Sequence, residues 1–170
     1  MVSNSTLFDF PNPVNEVAAR TVAAGVATLS ITTIVLGTAV AHAWLWLTVL
    51  LVYGFLARVL TGPTLSPLGQ LATRVVAPRL AAPKLVPGPP KRFAQGMGLT
   101  MSALALVLLV TGLWLGTVIV LALIVCAAIL ESALGFCIGC RIFAMLMRLG
   151  VIPEETCVAC ADITRRTLTV

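Results

Sequence analysis

The sequence predicts an all-α membrane protein with four transmembrane helices. It adds an interfacial amphipathic helix in the loop joining the two helix pairs, and a small cysteine-rich C-terminal segment. Three observations predict this. Of the 170 residues, 59% are hydrophobic and 10% charged, and the mean hydropathy is +1.08. A soluble domain carries about 25% charged residues, so this chain lacks the polar surface to cover a globule in water. The apolar residues also fall in long runs, and Lys and Arg collect between those runs rather than within them.

Residues 1–12 read as a tail that can rest on the membrane through Leu7, Phe8 and Phe10. The start has no basic n-region, carries Asp9 and Glu16, and is broken by Pro11 and Pro13. No cleavable leader is expected, and the first apolar run reads as a retained span. Asn12 suits an N-cap, Pro13 the first helical position and Glu16 the positive end of the helix dipole. A helix is therefore expected over 13–40. Its small residues Ala18, Ala19, Ala23, Ala24, Gly25 and Ala27 would let a neighbour approach closely. Ala41-His42-Ala43 makes a short turn with a solvated His42, and a second span follows over 44–60. Its length of about 25 Å just crosses the hydrocarbon core. Residues 13–60 thus form a first helical hairpin.

Residues 61–92 form a basic, proline-rich loop. The stretch 61–95 holds seven of the ten prolines, with Arg74, Arg79, Lys84, Lys91 and Arg92 uninterrupted by an acid. Ser66 and Pro67 read as N-cap and first residue of a short helix that Pro78 ends; Leu68, Leu71, Ala72 and Val75 share one face, which predicts a helix lying at the interface. Pro87-Gly88-Pro89-Pro90 predicts an extended strap. From Met97 to Phe136 the only charge is Glu131. Straight, that run would measure about 60 Å, twice the hydrocarbon thickness, so it must fold back, and 112–116 is the obvious turn. The third and fourth spans are expected over 93–113 and 117–136, making 93–136 a second hairpin. The fourth helix is expected to continue through Leu149, with Gly150 at C′ and Pro153 beyond it.

The two short turns contain no Lys or Arg, whereas 58–92 holds six and the C-terminal region four (Arg141, Arg148, Arg165, Arg166). The positive-inside rule puts both termini and the long loop in the cytoplasm. Trp44, Trp46 and Trp114 fall at the outer turns, where an aromatic belt belongs. The net charge of +5 is explained by this topology, and with no aromatic interleaving it does not indicate nucleic-acid binding.

Four cysteines then sit at the cytoplasmic face, in residues 137–170. Cys137 and Cys140 form one C-x-x-C and Cys157 and Cys160 a second, sixteen residues later. A reducing compartment disfavours a permanent disulfide and favours metal binding or catalysis. The spacing matches four-cysteine zinc sites, whose excess negative charge Arg141, Arg148, Arg165 and Arg166 would offset. The competing reading is thiol chemistry. A helix broken at Gly135 would leave Cys137 at the start of a new helix, whose dipole lowers a thiol pKa, and two pairs could pass a disulfide or a persulfide sulfur between them. Cys126, about 16 Å deeper along the helix, cannot join that site and reads as a small core residue. Glu131 is an acid inside a span, so it should face a partner or a cavity. The candidates are Arg20 and Arg58, in a structural ion pair or a proton or ligand site.

Three stretches carry a resemblance: FPNPVNE with Ala18-Ala19-Arg20, GPPKRFAQ, and E-x-x-L-G-F-C-x-G-C from Glu131 to Cys140. Together they resemble a family of uncharacterised bacterial membrane proteins catalogued as a domain of unknown function, over nearly the whole chain. The resemblance implies a four-helix domain of the bacterial cytoplasmic membrane. Through gene neighbourhood it also implies a link to thioredoxin-like or sulfurtransferase proteins. It assigns no residue a catalytic role.

Three functions are therefore weighed. One is a membrane anchor or assembly partner whose tetracysteine site, holding zinc, docks a soluble sulfur-handling protein. Another is a thiol–disulfide oxidoreductase or sulfur-relay enzyme using Cys137/Cys140 and Cys157/Cys160. The third is an oligomeric transporter of a small sulfur-containing anion along Arg20, Arg58 and Glu131, since four helices are few for a monomeric path. Whether the chain is an enzyme is left open by the residues alone: no P-loop or nucleophilic triad is present in the sequence.

Overall fold

The computed structural model of the chain describes residues 10–153 and residue 156. The tail over 1–9 and Cys157, Cys160, Arg165 and Arg166 lie outside the described residues. Four helices are long and apolar enough to cross a membrane. They are α1 (Glu16–Ala39), α2 (Thr48–Thr61, preceded by a 3-10 turn over His42–Leu47), α5 (Gly88–Val110) and α6 (Trp114–Leu134). Between α2 and α5 lie two short helices, α3 (Pro67–Leu71) and α4 (Ala77–Leu80), and α7 (Ile138–Arg148) follows α6. β1 (Val14–Asn15) pairs antiparallel with β2 (Leu85–Val86). The chain is an all-α membrane protein.

α1 packs on α6, α6 on α5 and α5 on α2. α1 meets α2 mainly through the 3-10 turn, where Leu45 is fully buried against Gly37; a Cβ there would overlap the leucine. The core runs through Val22, Val26, Leu51, Phe55, Leu121 and Ile124. The large apolar side chains outside it, such as Val35, Leu50, Leu104, Val107, Ile119 and Leu123, face outward, which is tenable in lipid and not in water. At the end carrying the tryptophans, His42 stacks on Trp114 with ring centroids 4.6 Å apart, tying the two turns together.

Four boundaries depart from the sequence reading. α1 starts at Glu16, capped by Asn15, whose Oδ1 accepts from Val17 N at 3.0 Å; the expected cap, Asn12, instead accepts from Gly88 N at 3.0 Å, at the start of α5. Ser66 does cap the loop helix, accepting from Gly69 N at 3.2 Å, but Pro78 does not end it. A π turn over Ala72–Val76 opens the hydrogen-bond ladder ahead of the proline ring, so the chain stays helical to Leu80. This segment rests on α1: Leu68 fills the space left by Gly25, Gly69, Ala72 and Ala77 are buried, and Leu71 and Val75 of the expected face point away.

The strap expected over 87–90 is the first turn of α5. Pro89 and Pro90 sit where a helix has no use for their missing N–H. Finally, the helix expected to run through Leu149 stops at Gly135, whose φ of 66° and ψ of 14° place it in the left-handed region. α7 begins afresh at Ile138 and ends as the sequence predicts, with Gly150 at φ 72° and Val151 N bonding back to Leu146 O at 3.0 Å.

Candidate functional site

The break at Gly135 makes Cys137 the N-cap of α7. Its Sγ accepts from Cys140 N at 3.4 Å. The Cys140 thiol also donates to it, which holds the Cys137 thiol below the usual thiol range against its burial and the Glu131 charge; Lys91 and the Cys140 N–H act in the lowering direction. The same hydrogen bond, with burial and the charge on Cys137, pushes the Cys140 thiol up. The two thiols are thus shifted in opposite directions, with the lowered one at the helix N-terminus, where the dipole favours a thiolate. α7 is pressed against α5 by Gly139, where a Cβ would lie 2.6 Å from Ala94 Cα, and by Phe143, edge-to-face with Phe93 at 5.6 Å. Only glycine permits that approach, and it fixes the height of both sulfurs.

Below the pair lies a cluster of charged groups. Glu131 Oε1 takes Lys91 Nζ at 2.7 Å, with both side chains largely buried. The sequence pointed to Arg20 or Arg58 as its partner; each is engaged elsewhere. Arg20 forks onto the last carbonyls of α6, donating to Ser132 O at 2.9 and 3.0 Å and to Ala133 O at 2.8 Å. These carbonyls have no helical partner of their own, and their dipole favours a cation. Arg58, 5% exposed, donates to Gln95 Oε1 at 2.8 Å and to Ser66 Oγ at 3.3 Å, and lies over the Phe55 ring. Arg58, Lys91 and Gln95 line one cavity of about 270 Å³.

Cys137 also borders two further spaces. One, of about 320 Å³, lies between α1, α5 and α6 with α2 contributing Phe55, and is walled by Val22, Val26, Phe55 and Ile124, with Gln95, Glu131 and Cys137 at its polar end. The other, of about 330 Å³, lies outside the bundle beside Lys91, Phe136, Cys140 and Arg141. Cys126 is exposed on α6 rather than packed in the core, and lines the first of these cavities. The second pair, Cys157 and Cys160, lies outside the described residues; among the described residues no group of three metal-ligating side chains comes together.

Lys91, Gln95 and Gly139 are the residues that sequence reasoning passed over. A signal was there. Lys91, Gln95, Gly98, Ser102 and Ala105 recur at alternate spacings of four and three, the period of a buried helical stripe. It is invisible if the helix is taken to begin at Phe93.

The family model described as Domain of unknown function (DUF4395) matches residues 14–148. The chain belongs to this family. The DUF4395 match takes in all four spans, the Lys91–Glu131 pair and Cys137 with Cys140, and ends before Cys157. No curated protein and no solved structure matches the chain.

Proposed function

We propose that this DUF4395 protein is a multi-pass membrane thiol–disulfide exchange protein working through Cys137 and Cys140 at the cytoplasmic face. The observation that carries the reading is the helix break at Gly135, which turns Cys137 into the N-cap of α7 with Cys140 donating to its sulfur. A lowered thiol facing a raised one is what exchange requires: one nucleophile that ionises more readily than an ordinary thiol, and one resolving group held in reserve. The matched family region also contains this pair without the second, so the pair is read as a unit.

In the reaction, the Cys137 thiolate attacks one sulfur of a partner disulfide. A Cys137–partner S–S bond forms, the partner's S–S bond breaks, and one partner thiolate leaves. Cys140 then loses its proton to water in the outer cavity and attacks Cys137 Sγ. The intramolecular disulfide forms, and the second partner thiolate leaves. The partner is reduced by two electrons and the pair is oxidised by two. The reverse sequence oxidises a partner dithiol, and the direction follows the reduction potentials. A thioredoxin-like or sulfurtransferase protein has the chemistry to be that partner, and Cys157 and Cys160 are the candidate next station on the same chain. The cytoplasmic placement rests on Arg20, Arg58, Lys91, Arg92 and Arg141, which all belong to the helix ends opposite the tryptophan turns.

The test is adduct trapping with the purified full-length chain. Cys140→Ser should accumulate a stable mixed disulfide at Cys137 on treatment with a disulfide-bearing thioredoxin-like protein, and Cys137→Ser should accumulate none. Stoichiometric zinc that shields all four thiols and is lost in Cys157→Ser would replace this reading with the structural metal site.

A further inference from the structure

The geometry points to a lipid-soluble quinone as the two-electron acceptor of the Cys137/Cys140 pair, bound head-first in the cavity between α1, α5 and α6. This rests on the thiol-exchange reading of the same pair and names the oxidant that the reading lacks. Four features of the cavity carry it. Its walls are apolar, and its volume of about 320 Å³ stands at the low end of the range of about 300–1,000 Å³ for small-molecule sites, enough for a ring head and not for its tail. Exposed Leu123 and Cys126 on α6 flank it, so it opens sideways toward lipid, where a tail would run. Its polar end includes a residue with hydrogen-bond donors for a carbonyl: Arg58 can only donate, so its Nε fixes Gln95 Oε1 as the accepting atom, and the amide N–H groups are what Gln95, which lines the cavity, has left to offer. Cys137, 7% exposed, reaches the same end.

The electron balance closes without another reagent. The Cys137 thiolate and the Cys140 thiol form one S–S bond and give up two electrons and the Cys140 proton. The quinone takes both electrons, and its two oxygens take two protons, one from Cys140 and one from water in the outer cavity beside Cys140 and Arg141. A hydroquinone leaves into the bilayer. The disulfide is then available to a soluble dithiol from the cytoplasmic side. Cys137, which borders both spaces, is the point where a water-soluble and a lipid-soluble reactant meet the same sulfur.

The test uses the full-length chain with Cys126→Ser, Cys157→Ser and Cys160→Ser, leaving Cys137 and Cys140 as its thiols. It is reduced, placed in nanodiscs of quinone-free phosphatidylcholine and mixed anaerobically with decyl-ubiquinone. Two thiols should disappear for each quinone reduced, read by alkylation and by quinone absorbance. Ala127→Phe and Met101→Trp, which fill the cavity, should each slow quinone reduction by about ten- to a hundredfold, the size of an overpacking effect. Both should still exchange with a water-soluble aromatic disulfide at the parent rate, which also shows that they fold. Exchange with the soluble disulfide but no oxidation by quinone overturns the inference, leaves the exchange reading standing, and assigns the cavity to lipid acyl chains. Failure of both reactions removes the exchange reading and the inference with it. Quinone reduction at the parent rate in both filled variants places the reaction outside the cavity and overturns the inference alone.

Discussion

Lys91 Nζ and Glu131 Oε1 lie 2.7 Å apart, forty residues apart in sequence and shielded from solvent at one end of the bundle. Breaking a buried pair leaves an uncompensated charge, whereas replacing both members is far milder. Glu131→Gln should therefore lower stability by about 3–5 kcal/mol, and Lys91→Met with Glu131→Gln should recover most of that loss. Denaturant unfolding of the four-variant cycle in detergent measures the coupling. Additive losses would mean the two side chains do not act as a pair.

Arg20 predicts a local effect instead. Arg20→Gln removes the fork on Ser132 O and Ala133 O and should fray the end of α6, with faster amide exchange over residues 133–137. Arg20→Lys should rescue little, because an ammonium cannot reproduce the planar fork. Unchanged exchange in Arg20→Gln would contradict the cap.

Gly139 and Gly96 should respond oppositely to the same change. Gly139→Ala drives a methyl into Ala94 and should cost about 1–3 kcal/mol, lifting the start of α7 away from α5 and slowing Cys137. Gly96 has open space around its missing Cβ, so Gly96→Ala should stabilise α5 by about 0.5–1 kcal/mol. Thermal melts of the two variants decide this directly.

The pH dependence follows from the polarised thiols. The folded pKa of Cys137 is depressed, so its thiolate, and the stability that ionisation contributes, is fully present above the unfolded thiol value of about 8.5 and is lost as pH falls through the folded value. Cys140 is raised, so its contribution is present below about 8.5 and is lost as pH rises through its own folded value. Alkylation should thus hit Cys137 first and persist to lower pH than at an ordinary thiol, while Cys140 stays slow throughout. Mass spectrometry of singly alkylated protein resolves the order. Equal rates at both sites would sink the assignment of nucleophile and resolving thiol.

The four spans and their turns were legible because apolar length alone separates a membrane helix from anything else. Gly150 was legible as a stop because a basic residue, a glycine and then Pro153 agree there. The site was less so, for two reasons. Prolines 87, 89 and 90 read as an extended strap, yet the first turn of a helix tolerates them, and that choice hid Lys91 from Glu131. A lone glycine inside an apolar run costs a helix only about 1 kcal/mol, so residues 117–149 read as continuous. What ends α6 at Gly135 is tertiary: Arg20 closes over the carbonyls of Ser132 and Ala133, and Gly139 lets α7 dock on Ala94.

The contacts made by the residues leading into α1 carry a consequence for biogenesis. Glu16 N donates to Lys84 O at 2.8 Å and Glu16 Oε2 takes Lys84 Nζ at 2.8 Å. Asn12 caps Gly88, and Val14 pairs with Val86. Every one of these links spans about seventy residues, and Arg20 waits longer still for Ser132. As the chain leaves the ribosome, α1 therefore enters the bilayer with the Glu16 N–H and Arg20 uncommitted. They find partners only once the segment leading into α5, and then α6, have been made. Assembly of this bundle is a closing of the first helix onto the last, and a chain halted between α2 and α5 would present a membrane-quality-control protease with an open α1.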